Sequence, residues 1–307
     1  MRSAITRLQL RHFQLIRTIN DLGQLSLAAE RLAMTQPAAS RALSEVERIV
    51  GAPVFLRHPK GMTASPVGEV LVRHAGLLLS GLDQAADELE AFRSGATGVV
   101  RVGAVTGASV AFVVPAIRRL KQESGNPEVR VDVAPSVDLM QGLMQGEYDF
   151  VLSRVTPGID ATQLQVLRGR PEHMEFLVRA GHPLASGPRP SLKQLSDYTW
   201  VVQAPGMPIR EAVDRAHLAA GLPPPQDVVN SASLLVVLAF IAESDAISPA
   251  AREVADLVRS MRADGVTTFF SHEPITLPPY HLIRMKSRPL SPIAQRLLDL
   301  VLEGLSA

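Results

Sequence analysis

Gln24-Leu25-Ser26-Leu27-Ala28-Ala29-Glu30-Arg31-Leu32-Ala33-Met34-Thr35-Gln36-Pro37-Ala38-Ala39-Ser40-Arg41 spells a short helix, a tight turn and the start of a longer helix. Ser26 stands where an N-cap belongs for a short helix over 27–32, with Ala28, Ala29 and Leu32 facing inward. Ala33-Met34 makes the turn. Thr35 then caps a helix that carries Pro37 in its first turn, where a missing N–H has no intrahelical partner to lose. Ala39, Leu43, Val46 and Val50 recur at helical spacing and mark its buried face, which leaves Gln36, Pro37, Ser40, Arg41, Ser44 and Arg48 on the other. Small residues on that outer face permit close approach, and Gln and Arg match adenine and guanine edges through paired hydrogen bonds. The pattern is that of a helix-turn-helix whose second helix enters a major groove. An ordinary helical hairpin with a solvated face has the same pattern, so the flanking sequence has to separate the two.

On the N-terminal side, Leu10, Phe13, Ile16 and Ile19, with Leu15 and Leu22, predict a first helix that stops at Asp21-Leu22-Gly23. On the C-terminal side, Val54-Phe55-Leu56-Arg57 reads as a strand, His58-Pro59-Lys60-Gly61 as a turn, and Met62-Thr63-Ala64 as the returning strand. This is a small β-wing, with Arg57 and Lys60 placed to meet phosphates. Charge agrees: residues 1–65 hold nine Lys or Arg against four acids, a net of +5 in a chain whose total is +1. A basic module on a mildly acidic body is expected when only the module meets a phosphate backbone, although a solvated charge excess would look alike.

The run from Gln24 to Leu32, then Thr35-Gln36-Pro37-Ala38-Ala39-Ser40-Arg41, then Leu43, Glu47, Gly51, Phe55, Arg57, Thr63 and Gly68, resembles the N-terminal signature of LysR-type transcription regulators. The likeness spans about sixty residues at many fixed spacings, which makes it far more specific than a short motif. It implies that Gln36, Pro37, Ser40 and Arg41 meet bases or nearby backbone, with Arg57 on the backbone. Ser26, Thr35, Ser44 and Lys60 complete the candidate DNA-binding set.

Pro66 opens a segment that runs to about Ser94 and is closed by Gly95 and Gly98. Leu71, Ala75, Leu78, Leu82, Ala85, Leu89 and Phe92 alternate spacings of four and three, the seam of two helices packing along a shared axis. One amphipathic helix docked on its own domain is the competing reading. The resemblance implies pairing through this linker, as a homodimer or homotetramer, and two paired recognition helices call for an inverted-repeat operator in double-stranded DNA.

From Val99 the sequence alternates strand-like and helix-like stretches: 99–105, a helix over about 109–123, 129–134, a helix from Asp138, and 148–153. A second α/β unit starts near Pro171, with strands at 174–179, 199–203 and 246–247 and a helix after Pro208; the chain then crosses back through 275–279 and ends in a helix over 291–305. The fold class expected is α/β: a winged helix-turn-helix over 1–65, a linker helix over 66–94, and a two-lobed domain like the periplasmic binding proteins over 95–307. Lobe 1 takes about 98–169 and 273–305, lobe 2 about 170–272. Open α/β sheets bind ligands at the carboxyl ends of their strands. The candidate effector residues there are Thr106, Gly107, Ser109, Ser136, Val137, Arg154, Pro205, Arg210 and Ser233.

This half resembles the LysR effector domain through Val102-Gly103-Ala104, Pro115 and Gly146-Glu147-Tyr148-Asp149-Phe150-Val151. The continuation to Val155 is similar to the branch that includes regulators of sugar uptake and of aromatic-acid breakdown. Arg154 at a strand end would pair with an anionic effector, or else serve as a surface arginine or structural ion pair. Thr106, Ser109, Ser136 and Ser233 are equally suited to be plain helix caps. The effector expected is an anionic metabolite or a sugar, and RNA polymerase is a further partner.

The chain contains no cysteine, which removes disulfides, thiolate nucleophiles and cysteine metal sites. Its eight histidines never fall three or four apart, and no phosphate-binding loop, dinucleotide fingerprint or serine-hydrolase elbow occurs. No catalytic residue, metal or cofactor is expected. The N-terminus is a poor signal peptide, and the longest apolar run, Leu234–Ala242, is too short to span a bilayer, so a cytoplasmic protein without a membrane partner is expected. An α/β enzyme would need a cluster of titratable residues that the sequence does not supply, and a secreted solute-binding protein would not need the helix-turn-helix.

Overall fold

The computed structural model describes residues 6–94, 98–261 and 265–306. The chain forms two compact units, Met1–Val99 with Gln141–Asp149, and Val100–Met140 with Phe150–Ala307.

The first unit is built from α1 (Leu10–Leu22), α2 (Leu25–Arg31), α3 (Gln36–Val50), β1 (Phe55–His58), β2 (Gly61–Ala64) and α4 (Pro66–Ser94). Leu15, Ile16 and Ile19 of α1 pack on Ala28 and Ala29 of α2 and on Ala39, Leu43 and Val46 of α3. Each large side chain buried in this way stabilises the fold by about 1.5–3 kcal/mol, and the alanines let the helices approach closely. Gly23, at φ 66°, ends α1 and donates to the Ile19 carbonyl at 2.8 Å. Thr35 caps α3 by accepting from Ala38 N, and Gly51 closes it at φ 79°. Ser26 is not a cap. Gln24 is the extended residue and its carbonyl accepts from Ala28 N at 3.1 Å, so burying Leu25 draws the start of α2 back and leaves Ser26 inside it.

The turn between α2 and α3 is closed by Ala33 N to Glu30 O and Met34 N to Ala29 O, with Ala33 left-handed at φ 52°. In the wing, β1 and β2 pair antiparallel from Phe55 with Ala64 to His58 with Gly61, leaving Pro59 and Lys60 at the tip. A Cβ on Gly61 would stand 2.3 Å from the Gly23 carbonyl oxygen, which already accepts from Met62 N at 2.7 Å. That glycine therefore holds the wing against the end of α1. Along the 29-residue α4, Leu71 and Ala75 are buried, whereas Leu78, Leu82, Ala85 and Leu89 are exposed. The side chain of Phe92 and residue Gly95 lie outside the described residues.

In the second unit β3 (Val99–Ala104) leads into a helical turn Thr106–Ala108, a π turn Ser109–Val113 and α5 (Val114–Glu123). The helical run thus begins at the strand end rather than at Ser109. Pro115 cannot donate to the turn before it, which explains the wider π winding. Then follow β4 (Glu128–Val133), α6 (Ser136–Met144, of which the part from Gln141 belongs to the first unit), β5 (Phe150–Ser153), β6 (Leu164–Arg179), α7 (Leu192–Leu195), β7 (Trp200–Val202), α8 (Pro208–Ala219), β8 (Val228–Asn230), α9 (Leu234–Ala242), β9 (Ser248–Ala251), α10 (Arg252–Ser260), β10 (Val266–Phe269), β11 (Thr276–Met285) and α11 (Pro292–Ser306).

One mixed sheet runs β10-β6-β11-β5-β3-β4, with β9 also on β6, and β7 pairs β8 in parallel. Strand β6 has 16 residues and is not broken at Pro171, where the sequence suggests a new unit; the third strand expected near 246–247 runs on into β9, with Ile247 itself bridged in parallel to Trp200. Pairs Thr276 with His173 and Leu277 with Glu172 stand on one side of a register break, and Tyr280 with Arg170 on the other. Pro171, Pro278 and Pro279 lie at that break, where no ladder bond is asked of them. The chain thus crosses between the two halves twice, on adjacent antiparallel strands. Phe176, Trp200, Val213 and Ile241 centre the core of the half that carries β7, β8 and β9.

Candidate DNA interface and effector cleft

On α3, Gln36, Pro37, Arg41 and Ser44 are exposed and Ser40 is half-buried, while Ala39, Leu43 and Val46 hold the opposite face in the core. Thr35 is exposed at the helix start and Ser26 is exposed on α2. Arg57 on β1 and Lys60 at the wing tip are exposed as well. Among the described residues Arg41, Arg57 and Lys60 form no intramolecular ion pair, so their charges remain available to phosphates or base edges. Beneath this face, His12 is buried; its Nδ1 accepts from Gln9 N and its Nε2 faces Glu45 at 3.7 Å. Burial pushes the His12 pKa below its ordinary value, against the opposing pull of Glu45, and so favours the neutral ring.

In the second unit the carboxyl ends of β3, β4, β5, β7 and β8 open on a cleft of about 190 Å³. Thr106, Gly107, Ser136 and Arg154 line it, as the sequence suggests, together with Ser231 and Ser248. Five candidates do not line it. Ser109 is buried in the π turn, Val137 is 61% exposed, and Pro205 is exposed on its loop. Arg210 pairs with Asp214 at 2.9 Å, and Ser233 caps α9 by accepting from Val236 N. The last two positions fall to local helix chemistry, as the alternative of plain caps allowed for Ser233.

Arg154 is nearly buried and ion-paired with Glu172; their side chains are 12% and 6% exposed. Its Nε also donates to the Pro278 carbonyl at 2.9 Å, and its backbone N–H donates to Ser136 Oγ. Glu172 and Gln203 are lining residues that sequence reasoning missed. Behind the cleft, Tyr280 is fully buried with no partner for its hydroxyl, and Glu253 Oε2 is likewise unpartnered. Burial raises the pKa of both groups; Glu253 and Glu172 push that of Tyr280 further, as Glu172 does that of Glu253.

A helix with a small, polar and basic outer face, a wing beside it and a clefted α/β unit in the same chain define a DNA-binding regulator of the helix-turn-helix class. The family model described as "Bacterial regulatory helix-turn-helix protein, lysR family" matches residues 10–69, and "LysR substrate binding domain" matches residues 93–306. The "HTH-type transcriptional regulator GbpR" of Azospirillum brasilense is 35% identical over 95% of this chain and 85% of its own length. The PcaQ regulator of Agrobacterium fabrum is 29% identical over 78% of each chain. Among solved structures, CbnR, a LysR family transcriptional regulator, superimposes with a TM-score of 0.62 at 18% identity over 97% of this chain and 99% of its own, and has also been solved with its target DNA. The chain belongs to the LysR family of DNA-binding transcription regulators, whose members bind DNA, respond to small-molecule effectors and assemble as oligomers. It is a regulator and not an enzyme.

Proposed function

We propose that the chain acts as an oligomer on an inverted-repeat operator and that a small molecule in the cleft of its second unit adjusts this binding. Residues 1–65 serve as the DNA-binding domain, 66–94 as the dimerisation helix and 95–307 as the effector-binding domain, with lobe 1 about 98–169 and 273–305 and lobe 2 about 170–272. The observation that carries the reading is the solvent-facing side of α3, where Gln36, Pro37, Ser40, Arg41 and Ser44 stand over a fully apolar inner side. Gln36 and Arg41 read base edges; Ser26, Thr35, Arg57 and Lys60 position the domain on phosphates. The uncovered leucines of α4 supply the contact with a second copy.

The cleft volume of about 190 Å³ suits one small metabolite. Binding shifts the two lobes only if the ligand favours one of their arrangements, and the adjacent crossings on β6 and β11 are where such a shift would bend. The protein works in the cytoplasm, beside a promoter where RNA polymerase is within reach; no helix of the described residues is long and apolar enough to cross a membrane. Footprinting on the DNA upstream of its own gene tests the reading. The expected pattern is two protected half-sites related by a dyad and spaced by about one helical turn or a multiple of it. A single protected site without a dyad contradicts the oligomeric reading.

A further inference from the structure

We infer that the cleft takes an uncharged effector, one whose hydroxyl or carbonyl oxygens meet the guanidinium N–H groups of Arg154 while Glu172 keeps the charge of that arginine matched. The inference rests on the reading of the cleft as the effector site, and it decides between the anionic metabolite and the sugar-like class that the sequence leaves open. Among the described residues lining the cleft, Arg154 and Glu172 are the charged ones, and they are paired with each other. A guanidinium has five N–H donors in a fixed fork. Here Nε serves Pro278 and one Nη serves Glu172, which leaves donors for a neutral acceptor but no unmatched positive charge for a carboxylate.

Helix N-termini are the other usual seat for an anion, through their unpaired N–H groups. Two of those at the cleft are already served by side chains: Ser233 Oγ accepts from Val236 N on α9, and Gln203 Oε1 accepts from Ile209 N on α8 at 3.2 Å. Negative charge is also near at hand. A Cβ placed on Gly107 would stand 2.7 Å from Glu172 Oε1 and 3.4 Å from Glu253 Oε2, so two carboxyl groups converge on this lining glycine. An incoming carboxylate would meet the charge of Glu172, which lines the cleft. A hydroxyl or carbonyl group would instead find donors at Arg154 and Gln203 and hydroxyls at Thr106, Ser136 and Ser231.

The test compares probes that differ in a single carboxylate: D-glucuronate with D-glucose, and benzoate with benzyl alcohol. Isothermal titration calorimetry is run on the full-length wild type and on Glu172→Gln, which leaves Arg154 without its counter-charge. The expected result is no carboxylate binding by the wild type and an affinity of Glu172→Gln for benzoate or glucuronate at least about tenfold higher. Carboxylate binding by the wild type overturns the inference, and so does a Glu172→Gln protein that gains none. Should Glu172→Gln not fold, Glu172→Ala, which likewise removes the counter-charge of Arg154, is judged by the same criterion. A gel shift on operator DNA, run on each variant without probe, keeps the two levels apart. Loss of DNA binding by the wild type would sink the regulator reading, whereas an unchanged carboxylate affinity would sink this inference alone.

Discussion

Arg41 and Arg57 carry the same charge and are expected to fail differently. Arg41 projects from the outer face of the recognition helix, so Arg41→Ala should cost about 1–3 kcal/mol of operator affinity and relax the preference at the base it meets. Arg57→Ala, on the wing, should weaken operator and unrelated DNA alike and lower the slope of log affinity against log salt by about one. Fluorescence anisotropy over a salt series separates the two, and equal loss on both DNAs for Arg41→Ala would remove it from base reading. Glu253 makes a prediction in pH. Burial holds its carboxyl above the ordinary 4.5, so the fold prefers the protonated form; that contribution is complete below 4.5 and is lost as pH rises through the folded value. Glu253→Gln, neutral at every pH, should therefore melt higher than the wild type at pH 7, with the difference closing below about pH 4.5. A difference that instead grows in acid would reverse the assignment.

At the scale of elements, α4 holds an apolar stripe that its own unit covers only at one end. Leu82 is 50% exposed and Leu89 67%, against 7% for Leu71. Leu82→Lys should shift the sedimentation of the protein toward the monomer while leaving its helical circular dichroism unchanged; an unaltered assembly would place the interface elsewhere. The helices α1, α3 and α4 were legible because one face of each is apolar at a strict helical period. The start of α2 was not, since Ser26 offers a cap whose position burial of Leu25 overrides. Strand β6 was cut short in the sequence by Pro171, which reads as a boundary until its partner β11 is seen to break register at the same point. Helix α10 carries Val254, Ala255 and Val258 at helical spacing and could have been found. Glu172 could not: an acid inside a strand becomes a site residue only when Arg154, 18 positions earlier, is placed beside it.

For the whole molecule, charge and fold divide the labour. The first unit presents Arg41 on one helix face and Arg57 and Lys60 on a wing, and the second keeps its cleft nearly neutral by pairing Arg154 with Glu172. The cleft as a place was legible from strand ends alone, because open sheets present backbone and loops there, but its individual residues depended on side-chain directions that no spacing encodes. The most direct measurement is an anisotropy titration of the purified protein on DNA upstream of its own gene against a scrambled duplex, at two salt concentrations, with Arg41→Ala in parallel. Selective binding that weakens with salt, and that loses its selectivity in Arg41→Ala, is the predicted result. Equal affinity for both duplexes at both salts would contradict the reading of α3 as a recognition helix.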